Sequence, residues 1–470
     1  MIIIFGAIQP QLKAQEEPAD TTKIEKKNPD LPMDPERMLE FTTNEGTWMS
    51  VDVSPDGSTI AFDLLGDIYT MPFEGGKATL ITGGMAYDSH PKFSPDGTHI
   101  LYISDKDGSD DAYALNLETE EEIKFSGDEN DEMVNAEWAP DGDYVIVARG
   151  RREYKLWLYH IDGGRGVKLV DPSSRIKAID PAFSADGRYI YYSRRVSAWN
   201  YNAQFPQYSL GAYDRETGED LTIVSKYGSA FTPTVSPDGN YLVYGSRFEA
   251  ETGLILHDLR DGSERWLAYP IQRDDQESQA TLGVLPAMSF TPNSRELVLF
   301  YGGKIQRLNI QSGQTTEIPF EVDVELAMGP DMTFKYPISD DIDVLATQIR
   351  DAVPSPDGSQ LAFTVLNKLY VKNLPDGTPR RVTNDDHTEA QPAWSPDGKF
   401  LTYVTWNQQE GGHIYKVEPN ARRIRPQQLT EEAAFYITPA WSYNSDRIVF
   451  AKGNKFDFMN TSSANAYYFA

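Results

Sequence analysis

One four-residue turn recurs through this chain and dictates most of what it can fold into. Ser54-Pro55-Asp56-Gly57 returns as Ser94-Pro95-Asp96-Gly97, Ala139-Pro140-Asp141-Gly142, Ser184-Ala185-Asp186-Gly187 and Ser236-Pro237-Asp238-Gly239. A degenerate copy, Thr291-Pro292-Asn293-Ser294, precedes Ser355-Pro356-Asp357-Gly358 and Ser395-Pro396-Asp397-Gly398, and Ser442-Tyr443-Asn444-Ser445 ends the series. From the second residue of each copy to that of the next, the intervals are 40, 45, 45, 52, 55, 64, 40 and 47 residues. The residue types are those of a hairpin. Proline presets φ at the first central position, aspartate tolerates the second and bonds back to the chain, and glycine accepts positive φ.

A short strand leads into each turn and another leads out, as Pro91-Lys92-Phe93 and His99-Ile100-Leu101-Tyr102-Ile103 do around the second copy. A third strand follows in most periods (Gly66 to Met71, His413 to Val417), and a fourth ends on a Leu-Thr type of pair such as Gln428-Leu429-Thr430. Four short antiparallel strands per period of this length is the signature of a propeller blade. The expected fold is therefore all-β, a β-propeller of four-stranded antiparallel blades.

Composition narrows the chemistry. The 470 residues contain no cysteine, which excludes disulfide frameworks, thiolate-ligated metals and Cys nucleophiles. A formal charge of −28 argues against nucleic acid or anionic lipid as the main partner. At 40% hydrophobic and 12% aromatic, the chain carries enough core formers to fold. Ile2 to Ile8 is an apolar run too short to span a bilayer; it reads as the tail of a secretory signal, with Ala14 as the last residue before cleavage, although no basic residue stands ahead of it. Residues 16–36 are charged and Pro-rich, a solvated linker, so residues 1–36 are taken as signal-like segment plus disordered linker and the expected location is periplasmic or secreted.

The pattern of strand, Trp/Phe-Ser-Pro-Asp-Gly, then Ile/Leu-x-Phe/Tyr resembles the PD-type repeats of TolB-like propellers, which also occur in the tricorn protease and in propellers of prolyl oligopeptidase relatives. Over about residues 37–460, with Glu45 to Val53 leading into the first turn, Asp63 to Tyr69 after it and Thr378 to Thr383 later on, the chain is similar to the propeller half of large exported bacterial proteins. In those, the resemblance implies, the TolB-like region precedes a metal-dependent amidohydrolase domain.

The chain itself offers no catalytic fingerprint. Its histidines, His90, His99, His160, His257, His387 and His413, lack the His-x-His spacing of an amidohydrolase, and Gly-x-Ser-x-Gly, phosphate-loop and dinucleotide motifs are absent. No catalytic residue, metal ligand or cofactor is assigned. Asp105 to Asp111 has alternating carboxylates, but the twelfth position of a calcium loop would be Asn116, so it reads as a polar hairpin. The acidic run Glu118 to Glu132 reads as a solvated loop, and Arg149, Arg151 and Arg152 as a salt-bridged surface. The candidate ligand-binding residues are Arg194, Arg195, Trp199, Tyr201 and Tyr208, in and around an insertion between the fourth and fifth turns; packing by the same side chains is the competing reading.

Nine periods exceed the blades of one propeller. Phe320 to Asp351, in the longest interval, is read as the join, giving a six-bladed ring over residues 37–322 and the incomplete opening of a second over 323–470; seven blades followed by two is the rival. Met38 to Thr42 is expected to supply the outer strand of the ring's final blade. After the ninth turn the pattern stops half-way through a blade, which suggests a fragment with further blades, and an enzyme domain, beyond Ala470. Two functions remain: a non-catalytic propeller that binds or gates peptide or amide substrates for an in-cis hydrolase domain, or a periplasmic adapter that binds peptide or protein partners.

Overall fold

The computed structural model describes residues 33–125, 131–151, 153–169, 177–195, 205–276, 284–333, 344–460 and 467–469, with 31, 335 and 336. Almost all regular structure is strand; Lys455–Asn460 is the one helix among the described residues.

Each turn is built by its own side chains. Ser54 Oγ donates to Asp56 Oδ1 (2.6 Å) and accepts from Thr59 N (2.9 Å), while Asp56 Oδ1 accepts from Ser58 N (3.0 Å). Gly57, at φ 74°, closes the turn by donating to Ser54 O (2.8 Å). The same bonds recur at Ser236–Asp238, Ser355–Asp357 and Ser395–Asp397. This satisfies the turn's polar groups locally and fixes the register of the two strands that leave it. The strands then pair in sequence order. Val51–Val53, Thr59–Leu64, Asp67–Pro72 and Thr79–Thr82 make blade 1, and 88–125, 132–168, 177–224, 231–273 and 289–318 make blades 2 to 6, each a four-stranded antiparallel sheet.

These six sheets close on one another. Each innermost strand lies beside that of the next blade, and the sixth lies beside the first. At the closure Val51 N donates to Ala287 O (3.0 Å), Val53 N to Ser289 Oγ (3.2 Å) and Gly46 N to Gly303 O (3.1 Å). Buried side chains from both sides of that seam, among them Met49, Val51, Phe62, Val298 and Ile305, form one apolar cluster. Burying each such side chain contributes roughly 1.5–3 kcal/mol, so the seam is a core and not a contact of convenience.

The N-terminal strand departs from expectation. Arg37–Thr43 does not join the sixth blade; it pairs antiparallel with Phe320–Met328, which runs parallel to Gly76–Lys77 in a separate three-stranded sheet. The reason is local. Ser289 to Ile318 already supplies all four strands of blade 6, while Phe320, Val322 and Val324 point alternately into the seam core and leave the other edge of their strand to be paired. The ring therefore closes by packing and hydrogen bonds, without exchange of a strand, and position 322/323 falls inside Phe320–Met328.

The later sheets, at 350–381, 388–428 and 435–469, repeat the blade plan, the last with three strands. The helix Lys455–Asn460 links this array to the ring: Arg247 Nη2 donates to Met459 O (2.8 Å), and the Tyr227 and Phe456 rings lie 5.0 Å apart. Among the described residues no helix is long and apolar enough to cross a membrane.

Candidate functional site

The innermost strands carry a repeated irregularity. In blades 2, 4 and 5 the register slips between the residues five and two positions before the turn, and His90, Asp180 and Thr232 adopt φ of 56°, 52° and 51°. A bulge of this kind bends the strand and re-aims a side chain. In blades 2 to 6 the residues four positions and two positions before the turn line the axis of the ring, and in blade 1 Asp52, two before it, does so. A cavity of about 550 Å³ runs there, lined by all six blades.

Its lining is chemically divided. All the ionisable side chains, Asp52, His90, Lys92, Glu137 and Asp180, come from blades 1 to 4, with Asn135 and apolar residues such as Trp138 and Phe183; blades 5 and 6 bring only uncharged ones, Thr232, Thr234, Ser289, Leu285, Ala287 and Met288 among them. Lys92 Nζ lies 3.0 Å from Glu137 Oε2 and 3.9 Å from Asp52 Oδ1, tying three blades together. Burial alone would lower the ammonium's pKa, but Glu137 and Asp52 outweigh it and hold Lys92 above its ordinary value. Asp52 accepts from Phe93 N (2.8 Å), and burial pushes it up to about 6 against the pull of Lys92. Asp180 accepts from Asn135 Nδ2 (2.6 Å) and Ser193 Oγ (2.7 Å), and burial pushes it too up to about 6. The lining sets one lysine, paired with Asp52 and Glu137, against three carboxylates, so the charged arc has an excess of acceptors and negative charge. Such a wall suits hydrogen-bond donors, ammonium groups or amide N–H, while the opposite arc offers apolar contact.

Just behind the wall, Asp63 spans two blades, accepting from Ser50 N (2.7 Å) and His90 N (2.8 Å); burial pushes it up to about 7. Among the described residues no group of three or more His, Cys, Asp and Glu is placed to hold a metal ion.

The residues singled out in the sequence lie elsewhere. Arg195 and Tyr208 meet across the second and third strands of blade 4, at the end remote from the Ser-Pro-Asp-Gly turns; both are buried, and Arg195 Nη1 donates to Tyr208 OH (2.9 Å) and Gln276 O (3.2 Å). Arg194, next in the strand, faces the other way, toward Asp220 (3.5 Å) and Thr222 Oγ1 (3.1 Å). Trp199 and Tyr201 lie outside the described residues, as do Arg152 and part of the acidic run. Arg149 is buried against Asp131 (2.8 Å) and Tyr159 OH (3.0 Å). The channel residues carried a signal that sequence reading passed over: polar residues at alternate positions in strands otherwise destined for burial, as in His90-x-Lys92 and Asn135-x-Glu137.

Comparison with known proteins agrees with this architecture. The family described as tricorn protease N-terminal beta propeller domain matches residues 49–208, and the dipeptidyl peptidase IV N-terminal region matches residues 332–436. An uncharacterized protein of Agrobacterium fabrum is 24% identical over 210 residues, 42% of this chain and 70% of its own length. The tricorn protease of Thermoplasma volcanium is 26% identical over 188 residues, 38% of this chain and 18% of that protease. The crystal structure of TolB from Acinetobacter baumannii superposes with a TM-score of 0.43 at 14% identity, covering 62% of this chain and 65% of its own. The chain is thus a β-propeller by its sheets, and over residues 49–208 it is similar to the tricorn-type N-terminal propeller.

Proposed function

We propose that the six-bladed ring is the non-catalytic, substrate-binding part of an exported peptide- or amide-cleaving hydrolase, and that its axial channel binds or gates the peptide. The observation that carries this reading is the divided lining. Carboxylates on the arc of blades 1 to 4 accept from a peptide's N–H groups or its amino terminus, while Leu285, Ala287 and Met288 receive apolar side chains. Both family matches are to N-terminal regions of peptidases, which supports a peptide over other ligands. The second array, the sheets at 350–381, 388–428 and 435–469, is the opening of a second propeller, and the hydrolase domain, amidohydrolase-like by resemblance, is a separate part of the protein. The insertion between the fourth and fifth turns, which carries Trp199 and Tyr201, is taken in the same proposal as a second recognition segment on its residue types. The signal-like segment at residues 1–14 supports a periplasmic or secreted location.

The test is occlusion. Thr234 lines the channel, and among the described residues its side chain has no hydrogen-bond partner, so Thr234→Trp fills the passage without breaking the ring. Binding of fluorescein-labelled random hexapeptides, followed by anisotropy, should weaken at least tenfold in this variant while its circular dichroism and melting stay those of the parent. Unchanged affinity would overturn the reading.

One observation favours a second function, that of a protein–protein adapter. Phe248, Trp266 and Tyr269 are 50%, 43% and 38% exposed yet packed together, with ring centroids 5.3–6.4 Å apart, on the outer edge of blade 5. Exposed aromatic clusters of this kind are where protein partners anchor.

A further inference from the structure

The boundary between blades 1 and 2 contains oxygen atoms with nothing to bond. Asp67 and Asp88 are 1% and 4% exposed, and one carboxylate oxygen of each, Oδ1, has no hydrogen-bond partner. Thr82 Oγ1 is buried without a well-aligned bond of its own, and with Ser104 it lies near enough to Asp88 to favour the ionised carboxylate there. The three are held together by backbone. Asp88 N donates to Gly66 O (2.7 Å), next to Asp67; Thr82 pairs with Ile68 on the other side; and Gly83 lies so close that a Cβ there would stand 3.3 Å from Asp67 Oδ1. Two buried carboxylates facing one another without a cation are costly. The nearest ammonium, Lys106, is already committed to Glu122 (2.6 Å) and Tyr102 OH (3.0 Å).

The same place in blade 7 shows what is missing. Asp67 opens the third strand of blade 1 as Lys368 opens the third strand of blade 7. Thr82 and Thr383 both stand twelve residues before the next turn's serine, and Asp88 and Glu389 both stand six before it. The backbone tether is repeated, Glu389 N donating to Asn367 O (2.9 Å). In blade 7 the position is satisfied. The Lys368 ammonium donates to Asp385 O and His387 O (3.0 Å each), Glu389 accepts from Leu369 N (2.7 Å), and Thr383 Oγ1 donates to Glu389. Blade 1 has the same cradle with an aspartate in place of the lysine.

We infer that Asp67, Asp88 and Thr82 hold a divalent hard cation, calcium by its chemistry, which stands in blade 1 where the lysine ammonium stands in blade 7. All the donors are oxygens; two carboxylates neutralise a charge of two, and carbonyls and water complete the six to eight ligands calcium takes. The ion pins the third strand of blade 1 to the first strand of blade 2. It is a structural staple in the wall of the ring, and none of its three residues lines the axial channel.

The test uses the full chain freed of metal with EDTA. Calcium chloride at millimolar concentration should raise the melting temperature by about 4 °C or more, with magnesium giving a smaller rise and sodium chloride at equal ionic strength none. Asp67→Lys should melt higher than the metal-free parent and respond to calcium not at all; Asp88→Asn should also lose the response. Isothermal titration of the parent should show one site that both variants lack. No response in the parent, or the same response in either variant, would overturn the inference, the latter marking diffuse screening of the −28 surface.

Discussion

Pro292 of the sixth blade lies against Gly57 of the first: a Cβ at Gly57 would stand 3.4 Å from Pro292 Cδ. The same contact joins Pro55 to Gly97 (3.7 Å), Pro95 to Gly142 (4.0 Å) and Pro140 to Gly187 (3.6 Å), so the turn motif touches its own copy in the next blade all the way to the seam. Gly57→Val meets a left-handed φ of 74° and has its Cβ already in contact with Pro292, so its γ-methyls must displace that ring, whereas Gly262→Val, at the same φ of 74°, has no atom within 4 Å. Urea unfolding should place Gly57→Val about 1–3 kcal/mol below Gly262→Val. Equal losses would mean that the motif contact does not help to close the ring.

Asp63 binds two backbone amides in different blades, Ser50 N and His90 N. Asp63→Ala strands both donors in a buried place, at about 1–3 kcal/mol each. Urea unfolding should therefore show a loss of about 2–6 kcal/mol, with Asp63→Asn, which keeps one acceptor, losing less. A loss under 1 kcal/mol for the alanine variant would show that water replaces the carboxylate.

Acidity should act on this protein in two opposed windows. The turn carboxylates Asp56 and Asp357 are lowered from 3.8 to about 2, chiefly by the Ser54 and Ser355 hydroxyls; the stability they add is present above 3.8 and lost as pH falls toward 2. Burial does the reverse to Asp52 and Asp180, raised to about 6, and to Asp63 and Asp67, raised to about 7. Their contribution is full below 3.8 and is lost as pH rises through 6 to 7. Melting temperature in calcium-free buffer should peak at about pH 4–5 and decline by pH 8. A maximum at pH 8 would contradict the burial of these groups.

The tryptophans before the turns form a further link between blades. Trp138 Nε1 donates to Lys92 O, Trp394 Nε1 to Val353 O and Trp441 Nε1 to Ala393 O, each at 3.2 Å and each in the preceding blade. Trp138→Phe keeps the ring's packing but loses that bond, so it should cost about 1 kcal/mol in urea unfolding. No measurable loss would mean that the indole N–H adds nothing to the inter-blade contact.

The blade plan was legible because Ser-x-Asp-Gly acts locally: its hydroxyl and carboxylate make the hairpin whatever surrounds it. The position of Arg37–Thr43 was not, because its partner Phe320–Met328 lies far along the chain and nothing short-range announces the pairing. The channel was hidden for another reason. His90, Asn135 and Asp180 reach the axis through bulges, and a plain alternating strand does not show which of its polar residues a bulge will turn inward. Arg194, Arg195 and Tyr208 drew attention by residue type, yet alternation along the strand sends the two arginines to opposite faces.

The central claim, that peptide enters the axial channel, is tested most directly by photo-crosslinking. A hexapeptide carrying one benzoylphenylalanine is irradiated with the full chain, and the crosslinked residues are located by mass spectrometry. The account predicts adducts on channel residues such as Ala182, Thr234, Leu285 and Met288. Adducts confined to Phe248, Trp266 and Tyr269 on the outer edge of blade 5 would contradict it and assign recognition to the adapter surface instead.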